Sequence, residues 1–150
     1  MEIESVIKNH LEALLKFLGA DPRVSVTKDE QDIYYVDLEG EHLNYLIGFR
    51  GESLEALQSL LNLMLYKELR STARAVVDIN SYRKGHKEKI EDIARSYIDR
   101  VRLSKQHAEM PVMSASERRY VHVFVADYDD VVAESVGEEP ARRIVLKLKV

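Results

Sequence analysis

Apolar side chains recur every three or four positions between Ile3 and Leu18, which is the spacing of one face of an α-helix. Gly19 follows this run directly and Pro22 comes soon after, and both residue types are typical of the end of a helix. The pattern therefore predicts an amphipathic helix of about four turns at the start of the chain.

Two short runs of β-branched and aromatic residues come next, at 24–26 and 33–38, and a polar stretch separates them. This arrangement is typical of two strands joined as a hairpin. The rest of the first half predicts four further elements: a short helical stretch at 43–47, a glycine-containing loop at 48–51, a long helix from Glu52 and a strand at 75–79.

The second half opens on a basic segment, residues 82–87, and continues as a long helix with apolar anchors over 90–101. Residues 110–111, Met-Pro, stop the chain before Ser114 and Glu117. These two residues have the spacing of a capping box, which predicts that a new helix begins there.

Two β-rich runs close the sequence, at 131–136 and 144–150, and the second alternates between apolar and other side chains. The Gly-Glu-Glu-Pro stretch at 137–140 suits the turn of a hairpin. No internal repeat is present. The predicted fold class is α+β, as two small α/β-sandwich domains that each pack helices on a small sheet.

Composition is that of a folded globular chain: 150 residues, 45% of them apolar, with 6 glycines and 3 prolines. The absence of cysteine excludes disulfides, thiolate metal sites and a cysteine nucleophile. Residues 1–10 lack the apolar core of a signal peptide, and no run approaches the ~18 apolar residues of a membrane span. We therefore expect a soluble cytoplasmic protein without membrane insertion.

The net charge of −4 argues, taken alone, against nucleic-acid binding. The charge is unevenly distributed, however: residues 1–40 carry −5, whereas residues 81–119 carry ten bases and six acids, a net of +4. A positive surface can therefore exist locally. The alternative is a solvated helix whose bases pair with neighbouring acids at i,i+4 spacing.

The segment Gly48-Phe49-Arg50-Gly51 joins two predicted helices. Glycines lack a Cβ and let a phosphate backbone approach closely, and the N-terminus of the following helix favours an anion. Arg50 adds a charge-assisted contact. An ordinary helix-to-helix turn with glycine caps is the alternative interpretation.

The stretch from Leu46 to Gln58, with its Ile-Gly-Phe-Arg-Gly core, resembles the signature of a KH domain. The element order resembles the type II, prokaryotic arrangement. In such domains the loop clamps about four single-stranded nucleotides by their backbone, which implies that Gly48, Phe49, Arg50 and Gly51 form the clamp. Phe49 departs from the basic or polar residues common at its position, and its ring either packs under the loop or stacks on a base.

Arg118 and His122 lie four residues apart on the helix predicted from Ser114, so they share one face and can converge on a phosphate. A helix surface on which His122 is satisfied locally is the alternative.

The surrounding segment, Pro111 to His122, is similar to the family named R-3-H for its Arg-x-x-x-His motif, as are Glu134 to Pro140 and the Arg142-Arg143 pair. That family binds single-stranded nucleic acid. The resemblance assigns Arg118 and His122 to phosphate recognition. Its supporting candidates are Arg119, Arg142 and Arg143.

A KH domain at 1–82 followed by an R-3-H domain at 83–150 resembles the bacterial Jag proteins, also called SpoIIIJ-associated proteins, without their N-terminal Jag domain. The resemblance implies a cytoplasmic protein that binds single-stranded RNA, with a role in post-transcriptional regulation and no cofactor. Single-stranded DNA is a second candidate ligand. A small KH-only protein and self-association are candidate protein partners.

An enzyme is disfavoured, because the five histidines show no metal-binding spacing and no P-loop or dinucleotide fingerprint is present. We therefore predict neither a catalytic residue nor a metal site. The stronger rival is a protein-interaction adaptor with a degenerate KH domain, which the acidic balance of the chain favours.

Overall fold

The computed structural model describes residues 2–150, and contacts between Cα atoms divide them into two compact units. The first unit ends at Arg83 and the second spans Lys84–Val150. Each unit contains one three-stranded sheet with helices packed on it. The predicted α+β class is confirmed.

The first unit follows the predicted order of elements. They are α1 (Ile3–Phe17), β1 (Arg23–Lys28), β2 (Ile33–Glu39), α2 (Asn44–Ile47), a 3₁₀ turn (Phe49–Gly51), α3 (Glu52–Leu69) and β3 (Arg74–Ile79). The sheet order is β1-β2-β3, with β1 antiparallel and β3 parallel to the central strand. This helix-strand-strand-helix-helix-strand order is the one that the type II KH resemblance implies.

Alternation along β2 explains how this sheet faces its helices. Tyr34, Val36 and Leu38 are buried while the residues between them are not, which is the period of two expected of a strand with one covered face. The helices α1 and α3 supply the other side of the core with leucines at helical spacing, among them Leu11 and Leu61. A single apolar core thus holds α3 against the sheet.

Polar side chains tie α3 to the outer edge of β3. Asn62 donates to the Ala75 carbonyl and accepts from the Ala75 amide, both at 2.8 Å. Gln58 accepts from the Val77 amide at 3.0 Å, and Arg83 donates to the Val77 carbonyl at 2.8 Å and to Gln58 at 2.9 Å. These bonds satisfy main-chain groups that an edge strand otherwise exposes, so α3 is fixed along its length.

The second unit contains a strand that the sequence did not predict. Its elements are α4 (Tyr82–Ser104, whose first two residues belong to the first unit), β4 (Ala108–Val112), α5 (Ala115–Val125), β5 (Val131–Val136) and β6 (Arg143–Leu148). The sheet order is β4-β6-β5, with both pairings antiparallel. The interpretation of residues 110–111 as a stop is wrong, because β4 continues through Pro111. A proline is tolerated in this edge strand, where the pairing register shifts between Glu109 and Val112.

The core of the second unit combines α4, α5 and all three strands. Ile98, Val121, Ile144 and Leu146 are among its fully buried side chains. Among residues 2–150, no helix combines the length and the apolar character needed to cross a membrane.

Candidate nucleic-acid interface

The backbone of the Gly48–Gly51 loop takes a conformation that its glycines make accessible. Gly48 has φ 72° and ψ −172°, and Gly51 has φ 81° and ψ 10°. Arg50 also lies in the left-handed region, at φ 52° and ψ 27°. The angles of Gly48 belong to a region that is essentially restricted to glycine.

Space around the two glycines is as restrictive as their backbone angles. A Cβ on Gly48 would lie 2.2 Å from Ser53 Oγ, and a Cβ on Gly51 would lie 3.0 Å from the Tyr82 ring. Tyr82 and Ser53 therefore pack closely against the loop from beneath. Both glycines are required by geometry, whatever the loop binds.

The loop presents its two middle side chains to solvent. Phe49 is 72% exposed, Arg50 is also exposed, and the Arg50 guanidinium carbon lies 5.1 Å from the centroid of the Phe49 ring. Exposure excludes the interpretation that the ring packs under the loop. Gly51, the N-cap residue of α3, has no side chain to cap the first amides of the helix, although Glu52 and Glu55 in the first turn add negative charge there.

The capping box predicted for α5 is confirmed. The Ser114 hydroxyl accepts from the Glu117 amide at 3.3 Å, and the Glu117 carboxylate accepts from the Ser114 amide at 2.8 Å. Glu117 is only 2% exposed, and its other oxygen lies 2.9 Å from Nε2 of His86 on α4. The start of α5 is therefore held by a buried polar network.

Arg118 does not take the exposed position that sequence spacing predicts. It is 7% exposed, and its guanidinium donates to the Met113 carbonyl at 2.6 Å and to the Glu139 carboxylate at 2.5 Å. The shared-face interpretation is corrected accordingly, because neighbouring segments surround the first member of the pair. Its guanidinium ties the segment before α5 to the β5–β6 turn.

Arg119 and His122 are the exposed members of the motif. They lie three residues apart and are therefore neighbours on the surface of α5. Neither side chain makes a hydrogen bond or an ion pair with the rest of residues 2–150. The structure thus brings a base next to His122, but the base is Arg119.

The Arg142-Arg143 pair divides in a similar way. Arg142 is exposed and donates to the Ser135 hydroxyl at 2.9 Å, a neutral partner that leaves its charge uncompensated. Arg143 is partly buried and donates to the Glu109 carboxylate at 2.9 Å. Arg142 therefore adds to the positive surface of this unit more than Arg143 does.

A row of arginines over aromatic rings lies on α4 and the α5 region. The guanidinium of Arg95 lies 5.3 Å from the Phe124 ring, and that of Arg102 lies 5.3 Å from the Tyr128 ring. Arg95 is also paired with Asp92, and Arg102 with Asp130. The hydrogen bond from Arg102 lowers the pKa of the Asp130 carboxyl. Since both arginines have carboxylate partners, this row is locally neutral.

Sequence reasoning missed the three side chains that build the interior of this site, His86, Glu117 and Glu139. Glu117 was recognised as half of a capping box, but not as a buried group. His86 and Glu139 contact residues 31 and 21 positions away, so no local pattern indicates them. Within residues 2–150, no three His, Asp or Glu side chains assemble into a potential metal site.

Comparison with known families places residues 88–148 in the R-3-H domain family. The chain is 32% identical over 132 residues to a protein of Clostridium symbiosum named RNA-binding protein KhpB, covering 88% of this chain and 59% of the relative. A Bacillus subtilis protein of the same name is 28% identical over 144 residues, 95% of this chain and 69% of the relative.

A third relative of that name, from Streptococcus pneumoniae, is 31% identical over 101 residues. The match covers 67% of this chain and 31% of the relative. The chain thus spans between about a third and about two thirds of the length of these curated relatives.

Proposed function

The chain carries an R-3-H domain and is related to bacterial proteins named RNA-binding protein KhpB, and from this premise we propose that it binds single-stranded RNA. We assign residues 1–82 to a type II KH domain and residues 83–150 to the R-3-H domain. The division between the two compact units, after Arg83, supports this assignment.

One observation carries the proposal: the Gly48–Gly51 loop combines a backbone free of Cβ atoms at both ends with an exposed ring and an exposed guanidinium in the middle. A phosphate can approach such a backbone closely, and the adjacent N-terminus of α3 favours an anion. The structural requirement for both glycines keeps this surface in one conformation.

In the second domain we assign direct contacts to the exposed groups, Arg119, His122 and Arg142. Arg118 is a positioning residue in this proposal, because its guanidinium is already satisfied by Met113 and Glu139. Its burial fixes the segment from which Arg119 and His122 project. Arg143 supports the same sheet through its bond to Glu109.

The proposed role is binding, not catalysis, in post-transcriptional regulation within the cytoplasm. Single-stranded DNA is the second ligand of the proposal, because the loop recognises a phosphate backbone that RNA and DNA share. The candidate protein partners are a KH-only protein and a second copy of this chain.

Fluorescence anisotropy tests the proposal with labelled mixed-sequence oligonucleotides. We expect single-stranded RNA to bind more tightly than a duplex of the same length. The affinity should fall on the order of tenfold between about 50 and 200 mM salt, because counterions are released from a few phosphates. Absence of binding to single-stranded RNA at the lower salt concentration would overturn the proposal.

A protein-interaction adaptor is the second candidate function, and one observation favours it. Leu60, Leu63 and Tyr66 are exposed apolar side chains at helical spacing on the outer face of α3. Under this alternative, Leu63→Glu abolishes association measured by sedimentation while the wild-type chain fails to bind RNA. Under the RNA-binding proposal, the same variant retains wild-type RNA affinity.

A further inference from the structure

We propose that Phe49 stacks on an unpaired nucleobase, so that the loop reads a base as well as clamping a backbone. This inference rests on the proposed binding of single-stranded RNA. It assigns to Phe49 a role that differs from the phosphate contact expected of a residue between the two glycines.

The ring is not needed to hold the loop together. Gly51 packs against the Tyr82 ring and Gly48 packs against Ser53, and these contacts lie on the side of the loop away from solvent. Phe49 remains 72% exposed while the core of the same unit buries its other large apolar side chains. The structure therefore gives the ring no packing role within the first unit.

Arg50 defines what kind of ligand suits this ring. Its guanidinium carbon lies 5.1 Å from the ring centroid, so a flat cation and a flat aromatic surface lie side by side. A single-stranded nucleotide offers the complementary pair: a base with an open π-face and a phosphate close to it. Stacking on an aromatic ring tolerates every base, whereas a base inside a duplex already has its faces covered.

The ligand class that follows is a single-stranded nucleotide whose base is unstacked from its neighbours. Phe49 would contact the base while Arg50 and the loop amides face the phosphate. Base identity would matter little at this position, but presence of the base would matter strongly. An abasic nucleotide therefore separates stacking from backbone binding.

The experiment uses the full chain with short single-stranded RNA that carries 2-aminopurine, read by fluorescence quenching and by anisotropy. Phe49→Leu keeps an apolar side chain without a π-face and should weaken binding about tenfold, while Phe49→Tyr should bind as the wild type does. The quenching on binding should disappear in the Leu variant. Arg50→Ala is the matched control at the adjacent position, because it should reduce the salt dependence, which Phe49→Leu should leave unchanged.

Repeating the titration with abasic RNA completes the test. We expect Phe49→Leu and the wild type to bind abasic RNA equally, because the base that the ring contacts is missing. Equal affinity of both proteins for the intact RNA, or an equal loss with abasic RNA, would overturn the stacking role while leaving RNA binding standing. Failure of the wild type to bind any single-stranded RNA would overturn the proposed function as well.

Discussion

The glycine loop of the first unit and the motif helix of the second present their marked residues in opposite ways. In the loop, both side chains between the glycines are exposed, and the backbone dihedral angles themselves turn them outward. In α5, the first residue of the Arg-x-x-x-His pair is buried and the second is exposed. Sequence spacing predicted the loop geometry correctly and predicted the helix geometry incorrectly.

The difference has a physical origin. A loop between two glycines is a local structure, because backbone sterics over four residues decide which way its side chains point. The exposure of a helical residue depends on what packs against that face. For Arg118 this is a carbonyl five residues before it and a carboxylate 21 residues after it.

The largest expected effect is the loss of stability in Arg118→Ala. Removing this guanidinium leaves the Met113 carbonyl and the Glu139 carboxylate without their donor, and we expect the free energy of unfolding to fall by about 3 kcal/mol. Arg119→Ala is the matched control, since an exposed side chain next to it should change stability by less than about 0.5 kcal/mol. Urea denaturation followed by circular dichroism measures both. Unchanged stability in Arg118→Ala, together with weaker RNA binding, would return Arg118 to the ligand side of the comparison.

Gly48→Ala should have the next largest effect, about 3 kcal/mol, since an alanine at these angles is strained and its Cβ would overlap Ser53 Oγ. Gly19→Ala is a suitable control: Gly19 has nearly the same φ, 73°, but open space around its Cβ position. It should lose only about 1 kcal/mol. We expect RNA binding to be lost in Gly48→Ala and kept in Gly19→Ala. Equal losses of stability in a thermal melt would show that contact with Ser53 is unimportant.

Arg50→Ala and Arg119→Ala should each weaken RNA binding several-fold and reduce the salt slope by about 0.7, the value expected for one single-strand phosphate. Their effects should add in the double variant if the two domains contact separate nucleotides. Anisotropy titrations over a range of salt concentrations measure both quantities. A double variant no weaker than either single variant would indicate one shared contact surface.

The smallest expected effect concerns the exposed pair of Arg102 and Asp130. The hydrogen bond from Arg102 lowers the pKa of Asp130 in the folded state. Its stabilisation is therefore present above the pKa of the unfolded state and is lost as pH falls through the lower, folded pKa. Asp130→Asn should destabilise the chain slightly at neutral pH and should match the wild type in strong acid. A difference that grows towards low pH would contradict this sign.

Most of the fold could be predicted from the sequence, because its helices and strands follow regular apolar periods and its turns carry glycine, proline or a capping box. Strand β4 was missed because Pro111 is normally a strand breaker, and only its edge position makes it acceptable. The side chains of Gln58 and Asn62 on the edge of β3 were invisible for another reason: their partners become neighbours only after folding.

The candidate site was predictable to the extent that it is local. The residues of the loop follow from four consecutive positions, and the capping box of α5 follows from a spacing of three. The burial of Arg118 does not, since it depends on Glu139 in a turn that hydrophobic periodicity describes only as polar. Its exposed neighbour Arg119 was identified as a supporting residue, and its exposure now makes it the stronger candidate for contact.

The central claim is that single-stranded RNA meets the glycine loop and the exposed side of α5, and one measurement tests it directly. A ¹⁵N-labelled sample of the full chain is titrated with a short single-stranded RNA and followed by amide chemical shifts. We predict the largest changes at Gly48, Phe49, Arg50 and Gly51 and around Arg119 and His122, while the Arg118 side-chain Nε–H signal stays near its free position. Shifts confined to other surfaces, with the loop amides unmoved, would contradict the account.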